Sequence, residues 1–150
     1  MKLTRLLSSG SGKNGTSGKG ASALAYVECL EKCKSGNDAL QLLVRVSDTI
    51  GQMSVDDIPI VVKKLSSRFE IEQEAAVRAK IFSVLSELGE LTPDSHEKAK
   101  IVTETANLLK SEKSHRAKSQ GLATLLKLGD CNRYIYFQFQ LRNKSSNANK

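Results

Sequence analysis

Three times along this chain an apolar helical stripe runs into glycine: "TIG" at Gly51, "ELG" at Gly89 and "KLG" at Gly129. The intervals are 38 and 40 residues. Sliding the sequence by 40 lays Leu85 on Leu125, Leu88 on Leu128 and Phe82 on Leu122. A phased period of this length constrains the fold more than any other feature. Each unit is too short to bury its own apolar face, so it must stack on a neighbour, and about three units are the minimum for a stable stack.

Helical periodicity fills the units. "ASALAYVECLEKCKSG" places Leu24, Val27 and Leu30 on one stripe, with Ser22 as N-cap and Gly36 as stop. "NDALQLLVRVSDTIG" follows, capped by Asn37 or Asp38, with Leu40, Leu43, Val44 and Ile50 facing inward. In "SVDDIPIVVKKLSSRF" the cap is Ser54 or Asp57, and Pro59 belongs early in a helix, so the regular part starts near Ile58. Its stripe is Ile58, Val61, Val62 and Leu65. "EIEQEAAVRAKIFSVLSELG" carries Val77, Ile81, Val84, Leu85 and Leu88 to Gly89. "TPDSHEKAKIVTETANLLKS" takes Thr92 as cap and Pro93 at the first helical position, with Ile101, Thr105, Leu108 and Leu109 inside. "EKSHRAKSQGLATLLKLG" ends the series with Leu122, Leu125, Leu126 and Leu128. Six helices in three pairs predict an all-α fold, a HEAT- or armadillo-like α-α superhelix (solenoid) over residues 21–129. Aromatics at 5% with no tryptophan suit such a leucine-based helical core.

The flanks differ in texture. Residues 1–20 hold "SSGSGKNGTSGKG", in which two Gly-Lys pairs raise the question of a phosphate loop. That loop needs Ser or Thr after the lysine and a strand before it. Here Asn14 follows Lys13, Gly20 follows Lys19, and Leu7 stands where the first glycine belongs. The segment reads as a flexible, basic Gly/Ser-rich tail. Beyond Gly129, Ile135, Phe137, Phe139 and Leu141 alternate with polar or tyrosine positions, a period-two strand signal without a partner strand. Residues 130–150 are therefore expected to be an atypical, disordered tail.

Charge is distributed by the same division. The net charge is +7, yet residues 1–20 and 131–150 together hold eight bases and no acid. The 110 residues between them carry 15 bases and 16 acids. Any RNA contact implied by the charge is weak and belongs to the basic tails. No apolar run approaches the ~20 residues that cross a bilayer, so no membrane partner is expected.

No catalytic constellation emerges, so no catalytic, cofactor-binding or metal-binding residue is assigned. His96 and His115 stand at polar helix starts and read as solvated. Adjacent Asp56 and Asp57 would diverge by about 100° on a helix, and their place suits the helix dipole. Lys63-Lys64 reads as a solvated edge. Cys29 and Cys33 share a helix face, but zinc would need two further ligands, so they read as small core residues. With Cys131 they make an odd count, as expected of free thiols.

Several stretches, "DALQLLVRV", "SVDDIPIVVKKL", "AAVRAKIFSVLSELGELTPD" and above all "NLLKSEKSHRAKSQGLATLLKLG", resemble the N-terminal region of the fourth-subunit family of the Integrator complex. The likeness covers roughly residues 34–129. It implies a nuclear, non-catalytic scaffold of HEAT repeats, truncated after about three repeats, in a complex that processes small nuclear RNA 3′ ends and binds RNA polymerase II. The implied partners are other Integrator subunits, including the endonuclease pair. The alternatives are a generic HEAT adaptor in transport or trafficking, and a nucleic-acid binder using the tails.

Overall fold

The computed structural model describes residues 18–129. Expectations for residues 1–17 and 130–150, including the period-two segment, lie outside the described residues. Six α-helices appear in order: α1 (Gly18–Lys32), α2 (Gly36–Thr49), α3 (Ile58–Ile71), α4 (Ala75–Leu91), α5 (Ser95–Ser111) and α6 (His115–Lys127). Two short 3-10 turns, Ile50–Gln52 and Val55–Asp57, join α2 to α3. Among the described residues there is no strand.

The helices form two layers. α1, α3 and α5 pack in one row and α2, α4 and α6 in the other, with α4 against α6 among the most extensive contacts. Three-residue corners at 33–35, 72–74 and 112–114 join each pair, short enough to force antiparallel neighbours. The result is the all-α helical-repeat solenoid of three pairs that the period predicts. One continuous apolar core runs through all six helices.

Most stripes fold as read. Ile58, Val61, Val62 and Leu65 are buried on α3, and Val77, Ile81, Val84, Leu85 and Leu88 are fully buried on α4. Ile101, Thr105, Leu108 and Leu109 are buried on α5. Phe69 and Phe82 meet edge to face at 4.9 Å between the second pair's helices.

Two stripes are corrected. Val44 is 46% exposed and Leu126 is 60% exposed, while Leu42 and Val46 take the inner positions of α2. On α6 the inner face is Ala117, Gly121, Thr124, Leu125 and then Leu128. Small residues there let α6 lie close on α4, and Thr124 Oγ1 donates to the Phe82 carbonyl at 2.8 Å. Periodicity favours large apolar residues and so finds Leu125 and Leu128 but passes over Ala117, Gly121 and Thr124.

Caps also shift. α1 starts at Gly18, so its first turn takes in residues assigned to the tail. Gly36 does not stop α1: it is the first residue of α2, whose N-cap is Ser35, with Ser35 Oγ accepting the Asp38 N–H at 3.4 Å. Thr92 is not the cap of α5. It closes α4, its hydroxyl donating to the Leu88 carbonyl at 2.8 Å, and Asp94 caps α5 by accepting from the His96 and Glu97 N–H groups. The segment "EIE" is not part of α4, since α3 takes in Glu70 and Ile71, Glu72 lies in the corner, and α4 begins at Ala75.

The three phased glycines do three different things. Gly129 has φ +104° and follows α6 in the left-handed conformation that glycine adopts without penalty. Gly51 lies in a 3-10 turn after α2 has ended. Gly89 is inside α4, where a Cβ would come within 2.2 Å of Leu128 Cδ2. Gly121, which the repeat does not mark, is as confined: a Cβ would stand 2.7 Å from Leu109 Cδ1 and 3.1 Å from the Phe82 ring. Gly121→Val is therefore expected to destabilise the stack by about 1–3 kcal/mol through overpacking. Urea unfolding of the variant measures this, and a stabilised protein would show that α6 has room to move away.

Candidate interaction surface

The corners between paired helices hold a chain of buried polar groups that links all three repeats. Arg68, on α3 and 5% exposed, donates from Nη1 to the Leu30 carbonyl at 2.7 Å and also to the Cys33 carbonyl. It thereby gives the Cys33 carbonyl a donor just past α1 and adds a second to the Leu30 carbonyl, which also accepts the Cys33 N–H at 3.2 Å. Its Nε and Nη2 reach Glu72 Oε1 at 2.8 and 2.6 Å. Glu72 Oε2 accepts the Glu74 N–H at 3.0 Å, and the Glu72 carbonyl accepts from Arg78 Nη1 at 2.8 Å. Arg78 continues to the third corner with a two-point clamp on Glu112, at 2.7 and 3.0 Å. Glu112 Oε2 in turn accepts the Ser114 N–H at 2.8 Å.

Glu72 and Glu112 are equivalent positions, 40 residues apart, and each carboxylate accepts the backbone N–H two residues on. Burial alone would push the Glu112 carboxyl up. The Arg78 hydrogen bonds, the Ser114 N–H and the nearby guanidinium charge outweigh it and hold the group below its ordinary value of 4.5. The hydrogen bond from Arg78 to Glu112 likewise raises the Arg78 guanidinium's pKa against the opposing effect of burial. A carboxyl depressed in the folded state contributes stability above its unfolded pKa and loses it as pH falls through the folded value. Native protein should thus lose stability on acidification below 4.5 more steeply than a Glu112→Gln variant. Parallel urea titrations at stepped pH read the difference, and equal slopes would remove Glu112 from the acid response.

The other feature is a groove between α3 and α5 of about 660 Å³. Its floor is Ile58, Val62 and Ile101, with Pro59 and Val55 at one lip. Five acids, Asp56, Glu70, Asp94, Glu97 and Glu104, and two bases, Lys63 and Lys100, surround it. Lys100 already pairs with Glu97 at 3.0 Å. Ser66, nine-tenths buried, lines the wall, and its hydroxyl has no hydrogen-bond partner among the described residues. This surface has no counterpart in the sequence reading, which weighed only Asp56 of these acids and assigned it to the helix dipole. Only the stacking of α5 on α3 brings residues 56, 70 and 104 to one rim.

The individually weighed residues are scattered. His96 and His115 are both exposed, at the starts of α5 and α6. Lys63 is exposed on the groove's edge, and Lys64 pairs with Glu31 of α1 at 3.1 Å. Cys29 and Cys33 are half-buried free thiols against the core, and burial pushes both thiol pKa values up. Among the described residues no group of three or more His, Cys, Asp or Glu is placed to hold a metal ion. No helix among them is long and apolar enough to cross a membrane.

No protein-family model matches the chain, and no solved structure matches it. Among curated proteins it is similar to "Integrator complex subunit 4" of Xenopus laevis, 34% identical over 111 residues, which is 72% of this chain. The chain spans 11% of the length of that relative. This likeness to the N-terminal part of the Integrator complex subunit 4 family agrees with the helical-repeat stack.

Proposed function

We propose that the chain is a non-catalytic scaffold module that joins other proteins to an Integrator-like assembly in the nucleus. The observation that carries this reading is the likeness to Integrator complex subunit 4. A helical stack that exposes long helix faces suits the role, because solenoids present extended surfaces to partners. In this reading the partners are other Integrator subunits, the endonuclease pair among them, and the context is small nuclear RNA 3′-end processing. The HEAT character of the repeats belongs to the same proposal, carried by the period of 38 and 40 residues.

Co-purification tests it. Tagged full chain expressed in cells and recovered from nuclear extract should bring down Integrator subunits, identified by mass spectrometry. Recovery of transport or trafficking factors without any Integrator subunit would replace the reading with that of a general adaptor. The eight bases at the two ends, with no acid among them, favour one additional property, weak RNA contact. Retention of RNA that falls steeply with salt and disappears without residues 1–20 and 131–150 would establish it.

A further inference from the structure

We propose that the groove between α3 and α5 binds a lysine- or arginine-rich partner segment that also carries apolar side chains. This names the partner chemistry of the scaffold proposed above and rests on that reading. Three observations converge on it. Asp56, Glu70 and Glu104 crowd the rim, and none of them makes an ion pair among the described residues. The floor is apolar, and Val55 at the lip is 53% exposed, so an apolar side chain seated there removes further apolar surface from water. The Ser66 hydroxyl is buried in the wall without a partner, a state that costs free energy unless an incoming group supplies a hydrogen bond.

The charge argument is specific to this surface. The part of the chain between its basic ends carries 15 bases and 16 acids, close to neutral, yet the groove gathers five acids against two bases. One of those bases is already held by Glu97. Negative potential in a concave, partly apolar surface attracts cationic segments and repels acidic ones. A nucleic acid would meet the same repulsion, which leaves a basic protein segment as the occupant.

A short labelled peptide of lysine, arginine and leucine, and a counterpart with glutamate for each base, can be titrated against the full chain by fluorescence anisotropy. The basic peptide should bind saturably and more weakly as salt rises, and the acidic one should not bind. Glu70→Lys with Glu104→Lys should weaken the basic peptide about tenfold by turning attraction into repulsion. Neither glutamate holds an ion pair, so circular dichroism should report an unchanged fold. The control Glu28→Lys with Asp48→Lys, exposed positions outside the groove, should leave affinity unaltered. Equal loss in the control pair, equal binding of both peptides, or no effect of the groove pair would each overturn the proposal. So would self-association abolished by the groove pair without peptide binding, which would assign the groove to a second copy. The titration contains no Integrator subunit, so it and the co-purification can fail independently.

Discussion

Replacing Arg68 with alanine is expected to cost about 3–5 kcal/mol of stability, the range for breaking a buried ion pair by removing one partner. The side chain is 5% exposed and serves two ends at once. Its removal leaves the Glu72 carboxylate buried without its cation and the Cys33 carbonyl without its donor, while the Leu30 carbonyl keeps only the Cys33 N–H. Stabilities of natural domains run to about 5–15 kcal/mol, so the loss is large enough to populate unfolded chains. Arg68→Lys should recover only part of it, because lysine keeps the charge but lacks the planar fork that reaches carbonyls and carboxylate together. Urea unfolding followed by circular dichroism measures both variants. A change below about 1 kcal/mol for Arg68→Ala, typical of an exposed pair, would mean that the corner opens to water. The double variant Arg68→Met with Glu72→Leu should lose less than Arg68→Ala, since it leaves no buried charge behind.

Leu85→Ala should cost about 2–5 kcal/mol, the range for removing a fully buried leucine from a core that cannot collapse around the cavity. The helix bearing it, α4, is packed by α2, α3, α5 and α6, so no neighbour can move in without losing contacts elsewhere. Leu126→Ala provides the contrast: 60% exposed, it should change stability by no more than about 0.5 kcal/mol. If the two variants unfolded at the same denaturant concentration, the assignment of inner and outer faces would be wrong.

That contrast marks where sequence periodicity succeeds and where it stops. On α3 and α4 every residue of the stripe read from the period is buried, although Phe69 and Phe82, also buried, are not among them. On α2 and α6 apolar residues surround more of the helix, as in "LQLLVRV" and "LATLLKL", and period cannot choose between Leu42 and Val44 or between Leu125 and Leu126. The neighbouring helix makes the choice. Caps were similarly ambiguous, because Ser35, Asn37 and Asp38, or Thr92 and Asp94, are all chemically competent. The direction in which the chain leaves the preceding helix selects one.

The sequence by itself determined the class of fold, the number of helices and the pairing, because a phased period and helix-compatible composition are local properties of the chain. Only the tertiary structure decided what the polar residues do. Arg68 and Arg78 look like ordinary helix-surface cations in one dimension, and Glu72 and Glu112 look like loop acids. Each becomes a buried or half-buried link because the corner of one repeat lies against the next, where the Cys33 and Glu72 carbonyls and the Glu74 and Ser114 N–H groups take side-chain partners. The groove acids likewise acquire a common surface through the packing of α5 on α3. Gly121 is confined only where α6 settles between Leu109 and Phe82. The links of Arg68 to Leu30 and Cys33, of Arg78 to Glu112 and of Thr124 to Phe82 join residues 34 to 42 positions apart, so they depend on the spacing and register of stacked helices rather than on any pattern within one of them.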